Sequence, residues 1–425
     1  MFKSPAGMSD VLPRDARLFQ DIYAKAGALF ELYGYEPIET PILEDVSLFN
    51  RSLGQETEIV QKQMFIVERR DESYCLRPEA TASVARAYIE NSLDKTSGFI
   101  KLYYTGPMFR AERPQKGRLR QFHHIGAEAI GAESPFLDSE TIALADGILQ
   151  ALKITGYTIK LNSLGCGDDR KKLKALLLSQ LKDKLDKLCP DCNTRYGRNV
   201  FRILDCKNEE CGQITSRLDF GHNDYLCEDC LAHFKTVREN LDALSVAYTV
   251  VLTLVRGLDY YSRSVFEITH PGLGAQDAIG AGGRYDRLIS ELGGPDLGAV
   301  GFALGVERIL LASGPQPQAS GKKTEVFIVT LGEEAKRQGF ILLNGLREAG
   351  ISCDMDYENK SLKGQMRRAN DMGVKYASIL GEDELKKRSV TLKDMASGKQ
   401  EEISLDAFIE EIKRRICCVP TPAVN

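Results

Sequence analysis

Phe109-Arg110-Ala111-Glu112-Arg113-Pro114-Gln115-Lys116-Gly117-Arg118-Leu119-Arg120-Gln121-Phe122-His123-His124 packs five arginines and lysines around a proline and a glycine. Its flanks read as extended chain. Lys101 to Phe109 is aromatic and apolar, and Gln121 to Ile130 alternates apolar residues with His124, Glu128 and other polar groups. Two extended runs joined by Pro- and Gly-bearing polar chain predict a β-hairpin with a basic loop. Such a hairpin can hold guanidinium groups over a polyphosphate while its loop reaches a nucleic-acid backbone. Standing alone, a basic stretch is more often a solvated charged face.

On the N-terminal side, Leu18, Phe19, Ile22, Ala26, Leu29 and Phe30 recur at helical spacing and predict an amphipathic helix over 15–33, ending at Gly34. Tyr35 to Glu44 follows as an extended run whose prolines confine it to an edge, which suits a subunit contact. Phe65-Ile66-Val67 and Tyr74-Cys75-Leu76 predict a second hairpin leading into a helix near Ala82. On the C-terminal side come a helix over 139–152, a strand over 158–164, a cysteine-bearing insert closing near Ser245, a strand over 265–269, and Gly-punctuated chain over 279–286. A strand then runs into a helix over 298–311. Strands arriving as hairpins predict an α+β domain on an antiparallel sheet. Beyond the Ser-, Gly- and Pro-rich linker from Ser313, strands (326–331, 351–355, 374–380) alternate with helices (334–349, 362–372), the pattern of a small α/β domain. The expected division is 1–165, insert 166–245, 246–312, linker 313–323 and 324–425.

A net charge of -4 supplies no global field for nucleic acid, so any polyanion site must be local. The N-terminus lacks an apolar signal region and no stretch has the length of a membrane span, which points to a cytoplasmic protein. In that setting eleven cysteines argue against a disulfide framework. Six cluster: Cys189-x2-Cys192, Cys206, Cys211 and Cys227-x2-Cys230. The two CxxC pairs, Cys189, Cys192, Cys227 and Cys230, fit a structural zinc site. Six candidates exceed four ligands, and free thiols are the alternative.

Gly280-Ala281-Gly282-Gly283 lies in no strand–turn–helix unit, so it is read as backbone that approaches a flat ligand at a pocket floor, with a tight turn as the alternative. Arg110, Arg256 and Arg308 follow apolar strands or sit in Gly-flanked turns. Converging on one pocket they would clamp a phosphoryl or adenylyl transfer, where positioning and charge neutralisation dominate.

With these residues quoted, the chain resembles the histidyl-tRNA synthetases, class II aminoacyl-tRNA synthetases, over nearly its whole length. Gly34 to Glu44 with Pro41 is similar to the dimer-forming first class II motif, Phe109 to Gly131 to the second, and Gly301 to Arg308 to the third. Leu254 to Ser262 and Ala281 to Leu288 are similar to the two histidine-specific motifs. The resemblance implies a six-stranded antiparallel core, a helical insert, a C-terminal anticodon-binding domain and a homodimer. It implies ligation of L-histidine to tRNA(His) in two steps, with ATP and Mg2+. The histidine carboxylate attacks the α-phosphorus and expels diphosphate; the tRNA 3′ ribose hydroxyl then takes the histidyl group.

Carried over by position, Arg110 and Arg256 serve catalysis at the α-phosphate, Arg110 also meeting the histidine carboxylate. Arg308 takes the γ-phosphate end of ATP and Arg113 supports the triphosphate. Glu79, Ala80 and Thr81 surround the substrate ammonium; Glu128 and Tyr261 take the imidazole nitrogens, with Tyr260 beside them. Gln115, Lys116 and Arg118 meet tRNA. His124 stands where the family usually has glutamine, a departure that leaves its role open and whose protonation is expected to make substrate affinity pH-sensitive.

Two other classes compete. A histidine-sensing regulatory subunit of ATP phosphoribosyltransferase would keep the core but lose phosphate-binding arginines and the anticodon domain, which this chain retains. A zinc-dependent nucleic-acid-binding module accounts for the cysteines alone.

Overall fold

The computed structural model describes residues 2–54, 57–96, 98–115, 117–221, 223–274, 276–314 and 324–417. The chain divides into two compact units, Met1–Pro317 and Gln318–Asn425. From residue 315 onward the expected linker lies outside the described residues, as does Lys116.

The strands of the first unit are β1 (Glu36–Pro37), β2 (Leu43–Asp45), β3 (Phe65–Arg69), β4 (Glu72–Leu76), β5 (Ile100–Phe109), β6 (Gln121–Ile130), β7 (Thr158–Ser163), β8 (Thr249–Val250), β9 (Ser262–Thr269), β10 (Ala278–Arg284) and β11 (Ala299–Gly305). Eight form one sheet in the order β1-β5-β6-β11-β10-β9-β7-β8. Its six middle strands pair antiparallel throughout, and the two-residue strands β1 and β8 add parallel edges. Brevity at the edges leaves little unpaired backbone to template another chain. The basic hairpin is the β5–β6 pair, in register from Ile100↔Ile130 to Phe109↔Gln121.

Period-two alternation gives the sheet its two faces. Ile125, Ala127 and Ala129 of β6, Phe266 and Ile268 of β9, and Val300, Phe302 and Leu304 of β11 bury against the helices Pro13–Leu32, Pro135–Ala151 and Glu228–Ala243. Gly282 is glycine for this packing, since a Cβ there would lie 2.6 Å from the Phe302 Cβ and 2.7 Å from the Phe266 ring. The opposite face carries a second core of Leu102, Tyr104, Val265, Tyr261 and Tyr285 with the helix Thr81–Glu90. One buried ionic knot fastens the layers: Arg284, fully buried, pairs with Asp138 and Asp286, and Asp138 meets His233 Nε2 at 2.7 Å.

Between Gly167 and Ala243 the chain is helical, built on Gly167–Leu181, Pro190–Arg198, Glu209–Thr215 and Glu228–Ala243. The fold does not bring the two CxxC pairs to one point. Cys189 and Cys192 group with Cys206 and Cys211, whereas Cys227 and Cys230 group with Cys166 and Asp169. The cause is local: each CxxC pair opens a different helix, and those helices face different neighbours. Spacing in the sequence carries no record of which helix start faces which.

The second unit is a five-stranded mixed sheet crossed by helices, with Val326–Thr330 lying between Cys353–Met355 and Tyr376–Leu380 and parallel to both, and Ser389–Asp394 and Gln400–Ser404 continuing antiparallel from Tyr376–Leu380. Among the described residues no helix is long and apolar enough to cross a membrane.

Candidate active site

On the face of the sheet away from the helix Pro135–Ala151, cross-strand partners line up as Tyr104, Gly126, Ala303, Ala281 and Glu267. Small residues in the centre of this row leave room, and the chain closes over it into a cavity of about 340 Å³. Gly301 and Gly305 flank Ala303 on the same floor. At Gly301 a Cβ would fall inside the Glu128 carboxylate. Gly280 and Ala281 both line the cavity, but only Ala281 points its Cβ side towards it, since the Cβ sides of Gly280 and Gly282 face Leu304 and Phe302 on the helix-packed side.

Arg110, Arg256 and Arg308 all line this one cavity. Arg110 follows β5, with its Nε donating to the Pro78 carbonyl at 2.9 Å and its guanidinium 5.3 Å above the Phe122 ring. Arg256, from the loop before β9, pairs with Glu267, and its Nε is buried without a partner. Arg308 lies in the first turn of the helix Val306–Ala312 and donates to the Gln276 carbonyl. Burial pushes the Arg110 and Arg308 guanidiniums below the usual arginine range, with Arg256 and Arg118 respectively acting in the same direction. Like charges held this close favour a polyanion between them.

Glu79 and Thr81 sit on the wall beside Arg110, at the start of the helix Thr81–Glu90. The buried Glu79 carboxylate accepts from Thr81 N at 2.7 Å and Ala82 N at 2.9 Å. Burial raises its pKa, and those amides and Arg110 oppose the rise. A carboxylate has lone pairs beyond two, so an ammonium can still be accepted. Tyr260 and Tyr261 line the cavity with ring centroids 4.7 Å apart.

Glu128, 1% exposed, lies behind the lining residues rather than among them. It accepts from Thr81 Oγ1 at 2.7 Å, from Tyr104 at 3.3 Å and from Tyr285, whose side chains reach the cavity. Burial pushes its pKa up to about 8, against those hydroxyls. His124 lines the cavity with Nδ1 buried and unpartnered. Burial, then Arg110, Arg77 and His123, depress its pKa to about 3. A pKa that low runs against the expected pH-sensitivity, because a further cation beside those arginines is costly.

The basic loop divides. Arg118, expected at the tRNA, is in the cavity wall and paired with Glu112. Gln115 is exposed and exchanges backbone hydrogen bonds with Arg118 at 3.1 and 2.9 Å. Arg113 is exposed and, like the buried Ala80, does not line the cavity. The structure adds residues that sequence reading missed. Tyr104 comes from β5, whose aromatic positions gave no sign of a site, and Tyr285 immediately follows β10. Arg202, Asp205 and Lys207 reach the wall from the helical insert, anchored where Arg195 and Arg202 meet Glu58 at 2.7 and 3.4 Å. Only Tyr285 had a signal, its place within the Ala281 to Leu288 motif.

Comparison with known proteins gives a consistent answer. Residues 7–309 match the family model described as histidyl-tRNA synthetase, and residues 325–415 match that of an anticodon-binding domain. The histidine–tRNA ligase of Syntrophotalea carbinolica is 44% identical over 403 residues, 95% of this chain and 96% of the relative. That of Geobacter metallireducens is 45% identical over 401 residues, 94% and 96% of the two chains. The crystal structure of apo histidyl-tRNA synthetase from S. aureus superposes with a TM-score of 0.80 at 36% identity, covering 97% of this chain and 100% of that one.

Proposed function

The chain belongs to the histidyl-tRNA synthetase family and ligates L-histidine to its tRNA through a histidyl-adenylate, and from that premise we propose how its residues divide the work. The convergence of Arg110, Arg256 and Arg308 on one cavity carries the reading. Arg110, next to Glu79 and Thr81, bridges the histidine carboxylate and the α-phosphate. Arg256 adds a second charge there as the pentavalent transition state gathers negative charge, an interaction that lowers the barrier because it is strongest in the transition state. Arg308 holds the γ-phosphate, with Arg113 supporting the triphosphate from the loop. A carboxylate nucleophile is already ionised, so the first step needs no general base.

Histidine is chosen at the blind end. Glu79 and Thr81 form the ammonium subsite, with Ala80 buried between them in the chain, and Glu128 with Tyr261 and Tyr260 reads the imidazole. A site whose polar groups an isostere would leave unpaired discriminates strongly. Neutral His124 offers one hydrogen bond near the substrate's amino and carboxylate groups.

Mg2+ is bound chiefly through phosphate oxygens plus one or two carboxylates. Asp205 and Asp277 on the wall fit, since among the described residues each pairs with a solvent-accessible lysine, at 3.1 Å from Lys207 and 3.5 Å from Lys160. The ion would neutralise charge on the leaving diphosphate. The insert cysteines would hold structural zinc, in groups other than the two CxxC pairs taken together.

Residues 1–165 and 246–312 form the catalytic core, 166–245 the insert, 313–323 the linker and 324–425 the anticodon-binding domain. Two copies pair through Gly34 to Glu44, a reading supported by exposed Ile42 and Leu43. Gln115, Lys116 and Arg118 approach the acceptor end of the tRNA, and the protein works in the cytoplasm. Histidine-dependent exchange of diphosphate into ATP tests the assignment. Exchange should be lost in Arg110→Ala while the chain stays folded; undiminished exchange would remove Arg110 from the α-phosphate.

A further inference from the structure

We propose that the helical insert binds two zinc ions at separate sites, one held by Cys189, Cys192, Cys206 and Cys211, the other by Cys166, Asp169, Cys227 and Cys230. Within each group the ligand atoms all lie within 4.8 Å of one another. Four tetrahedral bonds of about 2.3 Å set zinc-bound sulfurs roughly 3.8 Å apart. The Cys189 and Cys206 sulfurs stand 3.8 Å apart, far beyond the ~2.05 Å of a disulfide. All seven cysteines involved are unbridged.

One local device builds most of the ligand set. Cys166, Cys189 and Cys227 each immediately precede a helix, and Asp169, Cys192 and Cys230 follow three residues later in its first turn. That spacing puts both side chains of a pair on one side of the turn, where free amides favour the thiolate. The first site is completed by the turn carrying Cys206 and by Cys211, whose sulfur accepts from Cys189 N at 3.3 Å. In the second site the fully buried Asp169 accepts from Cys227 N at 2.9 Å and Cys166 N at 3.4 Å, which aims its carboxylate among the three sulfurs. Its one ion pair among the described residues is with the exposed Lys172 at 3.4 Å. Tetrahedral sulfur-rich sites of this kind select zinc in the absence of redox chemistry.

The insert's own apolar core is small, the circumstance in which a metal contributes directly to folding. There is also a link to the cavity. Cys206 sits between Asp205 and Lys207, and Arg202 precedes it by one turn, so the first ion fixes the stretch that forms this part of the wall.

Metal analysis of the full chain, purified without chelators or a polyhistidine tag, is expected to give about two zinc per chain. Cys206→Ser and Cys227→Ser should each give about one, and Asp169→Cys should keep two. Alkylation of the parent protein followed by mass spectrometry needs no variant. All seven cysteines should be protected as isolated and labelled after zinc is stripped by a chelator. One zinc or none in the parent, iron in its place, or Cys166, Cys227 and Cys230 labelled at the same rate before and after stripping would overturn the two-site assignment.

Discussion

The Tyr285 hydroxyl donates to Oε2 of Glu128, so a carboxylate removed from solvent behind the cavity wall is held by a side chain that itself lines the cavity. The pair ties a carboxylate whose pKa burial pushes up to about 8 to the residue that follows β10.

Burial pushes the Glu128 pKa up to about 8. An ionised carboxylate accepts an imidazole N–H far more strongly than a neutral carboxyl does, so histidine read by Glu128 should release close to one proton on binding at pH 7, and affinity should rise as pH rises towards 8. Calorimetry in buffers of different ionisation enthalpy measures this. Glu128→Gln should bind weakly and release only the small fraction of a proton carried by free histidine; equal release from both proteins would place the proton elsewhere.

Arg256 pairs with Glu267 on the cavity floor. Arg256→Ala should slow single-turnover adenylate formation by roughly 10²–10³-fold, the cost of removing one donor aimed at transition-state charge. Histidine affinity should change only a few-fold. Rapid-quench measurement with radiolabelled ATP separates the two effects, and an unchanged adenylation rate would refute the role.

Burial and the neighbouring arginines push the His124 pKa down to about 3, below the working range. The histidine KM of the parent and of His124→Gln should therefore follow parallel curves between about pH 5.5 and 8. An extra inflection near 6.5 that disappears in the variant would show that the ring does protonate.

Arg284 has no exposed surface and answers Asp138 and Asp286, with His233 on the far side of Asp138. Removing one partner strands a buried charge. Arg284→Met should destabilise the Met1–Pro317 unit by about 3–5 kcal/mol, read as a lower melting temperature in calorimetry. A loss under about 1 kcal/mol would mean that the acids rehydrate.

The hairpin Ile100–Phe109/Gln121–Ile130 and the helix Pro13–Leu32 are legible in the chain because alternation, helical spacing and turn chemistry are encoded within a few residues. The same holds for the α/β alternation after residue 324. Arg110, Arg256 and Arg308 could be picked out one by one from local patterns, whereas Glu79 and Tyr261 came through the family resemblance. Which of them meet is a different kind of information. The row Tyr104, Gly126, Ala303, Ala281, Glu267 exists only once five strands adopt one register, and a slip of one residue would turn every member to the other face. Helix docking decides that Arg202, Asp205 and Lys207 reach the cavity, and that Cys227 faces Cys166 and Asp169 rather than Cys189. Burial then assigns Glu128 its proton and denies one to His124, because desolvation depends on what the whole fold packs around a group and not on its neighbours in sequence.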